Sequence, residues 1–321
     1  MTAISVIIPV FNAAPYIEET LFSLMEQTWQ DFEIVCVDDG STDDSLAQLN
    51  AIKTKEPRLR ILTQANAGPA IARQSGLGVA QGEYVYFMDS DDFLHSDTLN
   101  RLYELAVAHQ ADWVCHRLSY VAKDHPIQSI YADVKASPAK AIEGAKGILS
   151  KKISIVSCGK LYRRSVFDDF QFPELSFAED YYCTSLLALK AGKIIYIRDK
   201  LYFYRQHDAS LTGSLTQAKV ASIFEASNQL FTTLEKTQAH QSATLRLKNY
   251  TARYQFYPAL SVLLRRQNLD DLAHFRDCWT QQAHISLKHL TWIKRWIISN
   301  VLRGEFLKAI NIFQRYEKWK V

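Results

Sequence analysis

The chain has 321 residues, 48% hydrophobic and 22% charged, enough for one large domain with an appendage or for two domains. Five cysteines, at positions 36, 115, 158, 183 and 278, are odd in number and lack a C-x-x-C pair; this argues against a disulfide framework or a zinc site and for a reducing compartment. The net charge of +3 hides an asymmetry, because Ile285 to Val321 holds eight Lys or Arg against two acidic residues, which makes the tail basic and the rest mildly acidic. An anionic partner is therefore expected for the tail alone, and no nucleic-acid partner is expected. The first residues lack the layout of a signal peptide, and no apolar run approaches 18 residues, so the expected location is cytoplasmic.

Ile4 to Pro9 is a continuous apolar run that predicts a buried strand. Apolar residues at Tyr16, Ile17, Leu21, Leu24 and Met25 predict an amphipathic helix ending near Trp29. Phe32 to Val37 predicts a second strand, closed by Asp38-Asp39-Gly40-Ser41-Thr42-Asp43, a polar turn that leads into a helix bearing Leu46, Leu49 and Ile52. Leu59 to Leu62 is a third strand, and Asn66-Ala67-Gly68-Pro69 opens a helix with proline in its first turn. Tyr84 to Met88 is a fourth strand and runs into Asp89-Ser90-Asp91-Asp92. Strands and helices alternating in this way predict an α/β fold built on a mainly parallel sheet.

Asp97 to His109 then reads as a helix, and Asp112 to Val121 and Gln128 to Val134 as strands extending the sheet. Ser137-Pro138 predicts another helix start. Gly159 to Arg164 is a basic turn or strand, Ser176 to Asp180 precedes a helix through Leu186 and Leu189, and two short strands follow at Lys193 to Ile197 and Leu201 to Arg205. From Gly213 onward the pattern is helical, which places a domain boundary there: residues 1–213 and 214–321.

Carboxylates at the carboxyl end of a strand sit where α/β sheets bind ligands. Asp89, Asp91 and Asp92 repel one another, and a hard divalent cation would relieve that repulsion. The alternative is an acidic turn in which Asp92 or Ser96 caps the following helix. A dinucleotide fold is excluded because no G-x-G-x-x-G follows the first strand; Gly76, Gly78 and Gly82 come late and at the wrong spacing. A nucleotidyltransferase would need a glycine-rich, arginine-bearing loop where Pro9-Val10-Phe11-Asn12 stands.

Four motifs in one order resemble the family 2 glycosyltransferases: Ser5 to Asn12, Val37 to Asp43, Gly82 to Asp92, and Glu179-Asp180 with Tyr204 to His207. The resemblance covers roughly the first 210 residues. It implies a GT-A fold, a nucleotide-sugar donor that is most often UDP-linked, a Mn²⁺ or Mg²⁺ ion, and inversion at the anomeric carbon. It implies that Asp39 accepts the uracil N3–H and that Pro9, Val10 and Phe11 line the base. Arg73 is implied to approach ribose or phosphate, although Gln74 departs from the usual asparagine. Asp89 and Ser90 would face the nucleotide, Asp91 and His207 the metal, and Asp180 would be the general base, with Glu179 as the lesser candidate. Lys160 and Arg163 would form a basic patch beside the diphosphate or a phosphorylated acceptor.

The implied activity is transfer of one sugar, of hexosyltransferase type, to a glycan or lipid-linked acceptor in bacterial surface polysaccharide or lipopolysaccharide synthesis. A non-catalytic nucleotide-sugar-binding partner on the same fold is the alternative. In the tail, Trp292 to Trp296 resembles the Q-x-x-R-W element of processive synthases, but Trp292 stands where glutamine belongs. The tail instead reads as basic amphipathic helices that lie on an anionic inner leaflet, or pack on the protein or on a second copy of it.

Overall fold

A computed structural model describes residues 2–207, 215–236, 241–281, 287 and 290–319. The chain divides into two compact units, one of Met1–Glu174 with Glu179–Ser210 and the other of Leu175–Ala178 with Leu211–Val321. The predicted boundary at Gly213 lies outside the described residues.

In the first unit, nine strands form one sheet: β1 (Ile4–Val10), β2 (Phe32–Asp38), β3 (Leu59–Thr63), β4 (Tyr84–Phe87), β5 (Phe93–Leu94), β6 (Trp113–Ala122), β7 (Lys140–Ile142), β8 (Lys160–Arg163) and β9 (Ile194–Gln206). The order is β3-β2-β1-β4-β8-β6-β9-β5, with β7 also on β9. β1, β2, β3 and β4 pair in parallel, as do β6 and β9. β8 is antiparallel to both β4 and β6, so β4 and β6 run the same way. The carboxyl ends of β1, β2, β4, β6 and β9 therefore share one edge of the sheet. β1 and β2 are buried along their whole length, as expected where helices cover both faces of parallel strands.

The helices of this unit are α1 (Ile17–Met25), α2 (Ser45–Lys53), α3 (Pro69–Val79), α4 (Thr98–His109), α5 (Gly144–Leu149) and α6 (Glu179–Lys190). Ile8, Leu21, Leu24, Leu99 and Leu102 pack in one core with Tyr86 and Tyr202.

Three expectations are corrected. Gln128 to Val134 is no strand: Ile127–Tyr131 is a short 3₁₀ helix that drops Ile130 among Phe93, Val121 and Phe203. Ser137 starts no helix. Its N–H donates to Asp199 Oδ1 (2.7 Å), and its hydroxyl accepts from the Arg198 N–H (2.7 Å). The two short strands are one, β9. Pairing with β6 jumps from Cys115↔Tyr196 to Arg117↔Lys200, so Arg198 and Asp199 lie in an irregularity of the ladder rather than a turn.

The second unit is helical: α7 (Gln217–Lys236), α8 (Gln241–Thr251), α9 (Tyr257–Arg266), α10 (Leu269–Thr280), α11 (Trp292–Leu302) and α12 (Phe306–Lys318), with a π-helical turn at Ala252–Phe256. Its core gathers Phe224, Phe256, Leu260, Phe275, Ile297, Val301, Ile310 and Phe313. Among the described residues no helix is long and apolar enough to cross a membrane. All five cysteines are free thiols, four of them buried.

Candidate active site

The loops after β1 and β2 are tied together first. Asn12 Oδ1 accepts from the Thr42 N–H (2.8 Å), and Asp43 Oδ2 from the Ala14 N–H (3.0 Å). Pro9 and Val10 are buried at the end of β1, and Phe11 turns out with its ring half exposed. The Asp39 N–H donates to Val10 O (2.8 Å), so Pro9, Val10, Phe11 and Asp39 do meet. The Asp39 carboxylate is buried and already engaged. Oδ1 accepts from Gln64 Nε2 (2.8 Å) and the Ala67 N–H (2.9 Å), and Oδ2 from the Gly68 N–H (2.8 Å). A carboxylate offers about four lone-pair sites, so one remains on Oδ2. Gly40, at φ +74°, lets this loop pass close: a Cβ there would stand 3.0 Å from Asn66 N.

At the end of β4 the arrangement is ionic. Arg73, on α3 and 4% exposed, donates from Nη2 to Asp89 Oδ1 (2.9 Å). Its Nη1 donates to Glu179 Oε1 (3.1 Å) and Asp180 Oδ1 (3.3 Å). One guanidinium thus gathers three carboxylates from two distant segments, a geometry suited to its forked donors. Burial, with Asp180 beside it, pushes the Glu179 carboxyl up to about 7 despite Arg73. Burial also raises Asp89, with Asp91 and Asp180 adding to it against Arg73. Asp180 accepts a short hydrogen bond from the Ser157 hydroxyl as well and stays a quarter exposed.

The rest of the acidic turn divides its labour. Ser90 O and Asp92 O both accept from Thr20 Oγ1 on α1 (2.9 and 2.8 Å), which fixes the turn. Asp92 is buried: its Oδ2 accepts from the Tyr202 hydroxyl (2.6 Å) and its Oδ1 from the Arg205 N–H (2.7 Å). That hydroxyl in turn accepts from the Asp89 N–H (3.1 Å). Burial and the two neighbouring aspartates push Asp92 well above the usual carboxylate range. Asp91 is the outward member, with its Oδ2 2.9 Å from His207 Nε2. His207 stacks on Tyr16 with ring centroids 4.6 Å apart.

Sequence reasoning named Asp91, His207, Asp89, Ser90, Arg73 and Asp180, and the structure brings these to one edge of the sheet. It did not pick out Ser157, Tyr202 or Tyr16. Tyr202 stands two residues before Tyr204 in the same apolar run, and only pairing with β5 shows that it faces the acidic turn. The Lys160–Arg163 patch is corrected. Three residues apart on a strand, the two side chains point to opposite faces. Lys160 is buried, donating to Val156 O and Cys158 O, and burial lowers its pKa. Arg163 pairs with Glu83 (2.6 Å) and donates to the Tyr84 hydroxyl.

Among the described residues no group of three or more His, Cys, Asp or Glu side chains is arranged to hold a metal. Asp91 and His207 form a pair, and His207 Nδ1 is buried with no hydrogen-bond partner among the described residues. One carboxylate and one imidazole fit a Mn²⁺ or Mg²⁺ that takes its remaining ligands from substrate phosphates and water.

An open α/β sheet, an acidic turn at the end of β4 and the Asp180 carboxylate gathered beside it by Arg73 make up the candidate site of a glycosyltransferase. The family profile described as Glycosyl transferase family 2 matches residues 5–170. Glycosyltransferase GlyG of Streptococcus pneumoniae is 31% identical over 219 residues, 65% of this chain and 72% of that protein. The chain belongs to glycosyltransferase family 2. Glycosyltransferase GlyA of the same organism is 31% identical over 72% of this chain, which spans 34% of its length. The poly(ribitol-phosphate) beta-glucosyltransferase of Bacillus spizizenii is 33% identical over 63% of this chain, which spans 32% of that protein. The crystal structure of S. aureus TarS 1–349 in complex with UDP-GlcNAc superposes with a TM-score of 0.72 at 22% identity, covering 98% of this chain and 92% of that one; the fold is GT-A.

Proposed function

We propose that the chain is an inverting glycosyltransferase that moves one hexose from a nucleotide sugar, UDP-linked, to a glycan or lipid-linked acceptor in bacterial surface polysaccharide synthesis. The observation that carries this reading is the Arg73 guanidinium, which holds Asp180 and Asp89 together beside the Asp91–His207 pair. In this reading Asp180 takes the proton of the acceptor hydroxyl; the acceptor oxygen bonds to the anomeric carbon as the bond from that carbon to the diphosphate breaks on the opposite side. Asp91 and His207 would hold a divalent cation, which would supply positive charge beside the departing diphosphate. Asp39 offers its remaining lone pair on Oδ2 to the uracil N3–H, and Phe11 covers the base. The two acid groups at the start of α6 act differently. Glu179, pushed up by burial, accepts from Arg73 on the inner side, while Asp180 faces the substrate. Residues 1–213 would carry the whole reaction, and 214–321 a separate role.

The test is turnover of UDP-glucose, UDP-N-acetylglucosamine, UDP-galactose and GDP-mannose with Mn²⁺. Slow hydrolysis that EDTA abolishes is expected, with Asp180→Asn retaining UDP binding while losing transfer. Activity indifferent to EDTA would overturn the metal role, and an Asp180→Asn protein as active as wild type would overturn the base.

For the tail the reading is an anionic membrane surface, at the inner face of the cell membrane. On α11, Trp292 and Trp296 stand out with ring centroids 6.3 Å apart and Arg295 on the same side, while Ile297, Ile298 and Val301 are buried. Leu307 on α12 and Trp319 just after it, 92% exposed, are further exposed apolar side chains. Indole rings flanked by basic residues suit the lipid headgroup layer.

A further inference from the structure

From Leu118 onward β6 and β9 pair without a shift: Leu118↔Tyr202, Ser119↔Phe203, Tyr120↔Tyr204, Val121↔Arg205. Partners in such a ladder share a face, and alternate residues point the same way. Leu118, Tyr120, Tyr202 and Tyr204 therefore line one face. The opposite face is accounted for, with Val121 and Phe203 packed on Phe93 and Ile130 and Arg205 on Glu19. On the first face, Tyr202 reaches Asp89 and Asp92. Leu118 is covered by the loop before β8: a Cβ at Gly159, at φ +71°, would stand 2.7 Å from Leu118 Cδ2. Two residues earlier in that loop is Ser157, which donates to Asp180.

Tyr120 is the next residue outward on this face, one pleat (about 6.7 Å) beyond Leu118. It is 63% exposed, and its ring sits 5.3 Å from that of Tyr204, inclined at 56°. The pair thus lies one pleat beyond Tyr202, which reaches the acidic turn, and Leu118, which the loop carrying Ser157 covers. Partial burial, then the neighbouring Cys158 and Asp92, push the Tyr120 phenol up.

We propose that Tyr120, backed by Tyr204, is a stacking platform for a pyranose ring of the acceptor. A pyranose has one face of C–H groups and a rim of hydroxyls. The negative face of an aromatic ring attracts those C–H groups, and the rim remains free to reach Asp180. The inclined pair makes a shallow trough rather than a flat plate, which favours a saccharide over a linear polyol or a lipid tail. The inference rests on the transferase reading above and adds to it the position and chemistry of the acceptor subsite.

The experiment is saturation-transfer NMR of the full chain with UDP, using the methyl β-glycosides of glucose, galactose and N-acetylglucosamine as probes. Transfer to ring C–H protons is expected with at least one glycoside. Tyr120→Ala should weaken that binding roughly fivefold, the size of one aromatic contact, whereas Tyr120→Trp should keep it. Tyr120→Lys, which suits an exposed position, repeats the loss should the alanine variant fold poorly. Separate calorimetry of wild-type protein with UDP keeps the two ideas apart: absence of UDP binding overturns the transferase site. UDP binding with no saccharide signal, or with equal signal from wild type and Tyr120→Ala, overturns the platform.

Discussion

Arg73 Nη2 lies 2.9 Å from Asp89 Oδ1, and this pair joins the end of β4 to α3, while the other arm of the same guanidinium reaches α6. Removing the cation leaves three carboxylates facing one another in a largely dry site. Arg73→Ala is expected to cost about 3–5 kcal/mol, the usual penalty for breaking a buried ion pair from one side. Arg73→Lys should recover only part of this, because a point charge does not span three acceptors. Urea denaturation of the three proteins checks it; near-equal midpoints would show that Arg73 does not organise the site.

The Glu179 carboxyl gives a pH signature. Its folded pKa of about 7 lies above the ordinary glutamate value, so the folded chain holds a proton that the unfolded chain has lost. The associated stability is complete below about pH 4.3, the unfolded value, and is lost as pH rises to about 7. Glu179→Gln should therefore gain on wild type between pH 5 and pH 8, by an amount on the order of 1–3 kcal/mol. Unfolding midpoints at the two pH values check this, and a constant difference between them would contradict it.

Asp39→Asn should harm both stability and nucleotide binding. The amide turns an N–H towards backbone N–H groups that now donate to a carboxylate, at a cost of about 1–3 kcal/mol. UDP calorimetry and thermal melts should fall together; a variant that melts like wild type but loses UDP would leave Asp39 a ligand contact only.

His207→Ala should weaken UDP binding about tenfold or more in Mn²⁺, the effect of losing one metal ligand or its support, and leave it unchanged in EDTA. Calorimetry in both buffers measures this. Equal losses in both would make His207 a packing residue, through its stack on Tyr16.

Sedimentation with vesicles of phosphatidylglycerol tests the tail. Binding should fall with added salt, since surface charges are screened beyond about 10 Å at 0.1 M, and should be lost in a Trp292→Ala, Trp296→Ala double variant. Salt-independent binding, or none, would favour contact with protein instead.

The parallel half of the fold was legible in the sequence because its strands are buried on both faces and read as largely apolar runs, as in Ile4–Val10, interrupted by Ser5, and Phe32–Asp38, interrupted by Glu33 and closed by Asp38. Ser137 does not read correctly from sequence because its N–H and hydroxyl are satisfied by partners far away, Asp199 and Arg198, and Ile127–Tyr131 because a single 3₁₀ turn is too short to set a period. The acidic turn announced itself by composition. The roles of Asp92 and Lys160 did not, since burial separates an inward carboxylate from an outward one and no spacing records it. Arg73 was assigned towards the nucleotide, whereas its partners Glu179 and Asp180, more than a hundred positions away, claim both arms of its guanidinium together with Asp89.

The closed grip of Asp39 on Gln64, Ala67 and Gly68 also bears on kinetics. A wall held by three hydrogen bonds before any ligand arrives has already lost its conformational freedom during folding. A ligand entering beside it has no loop to order there, which removes one opposing entropy from association. On that side of the pocket, selectivity between ligands should appear as differences in residence time rather than in the rate of arrival.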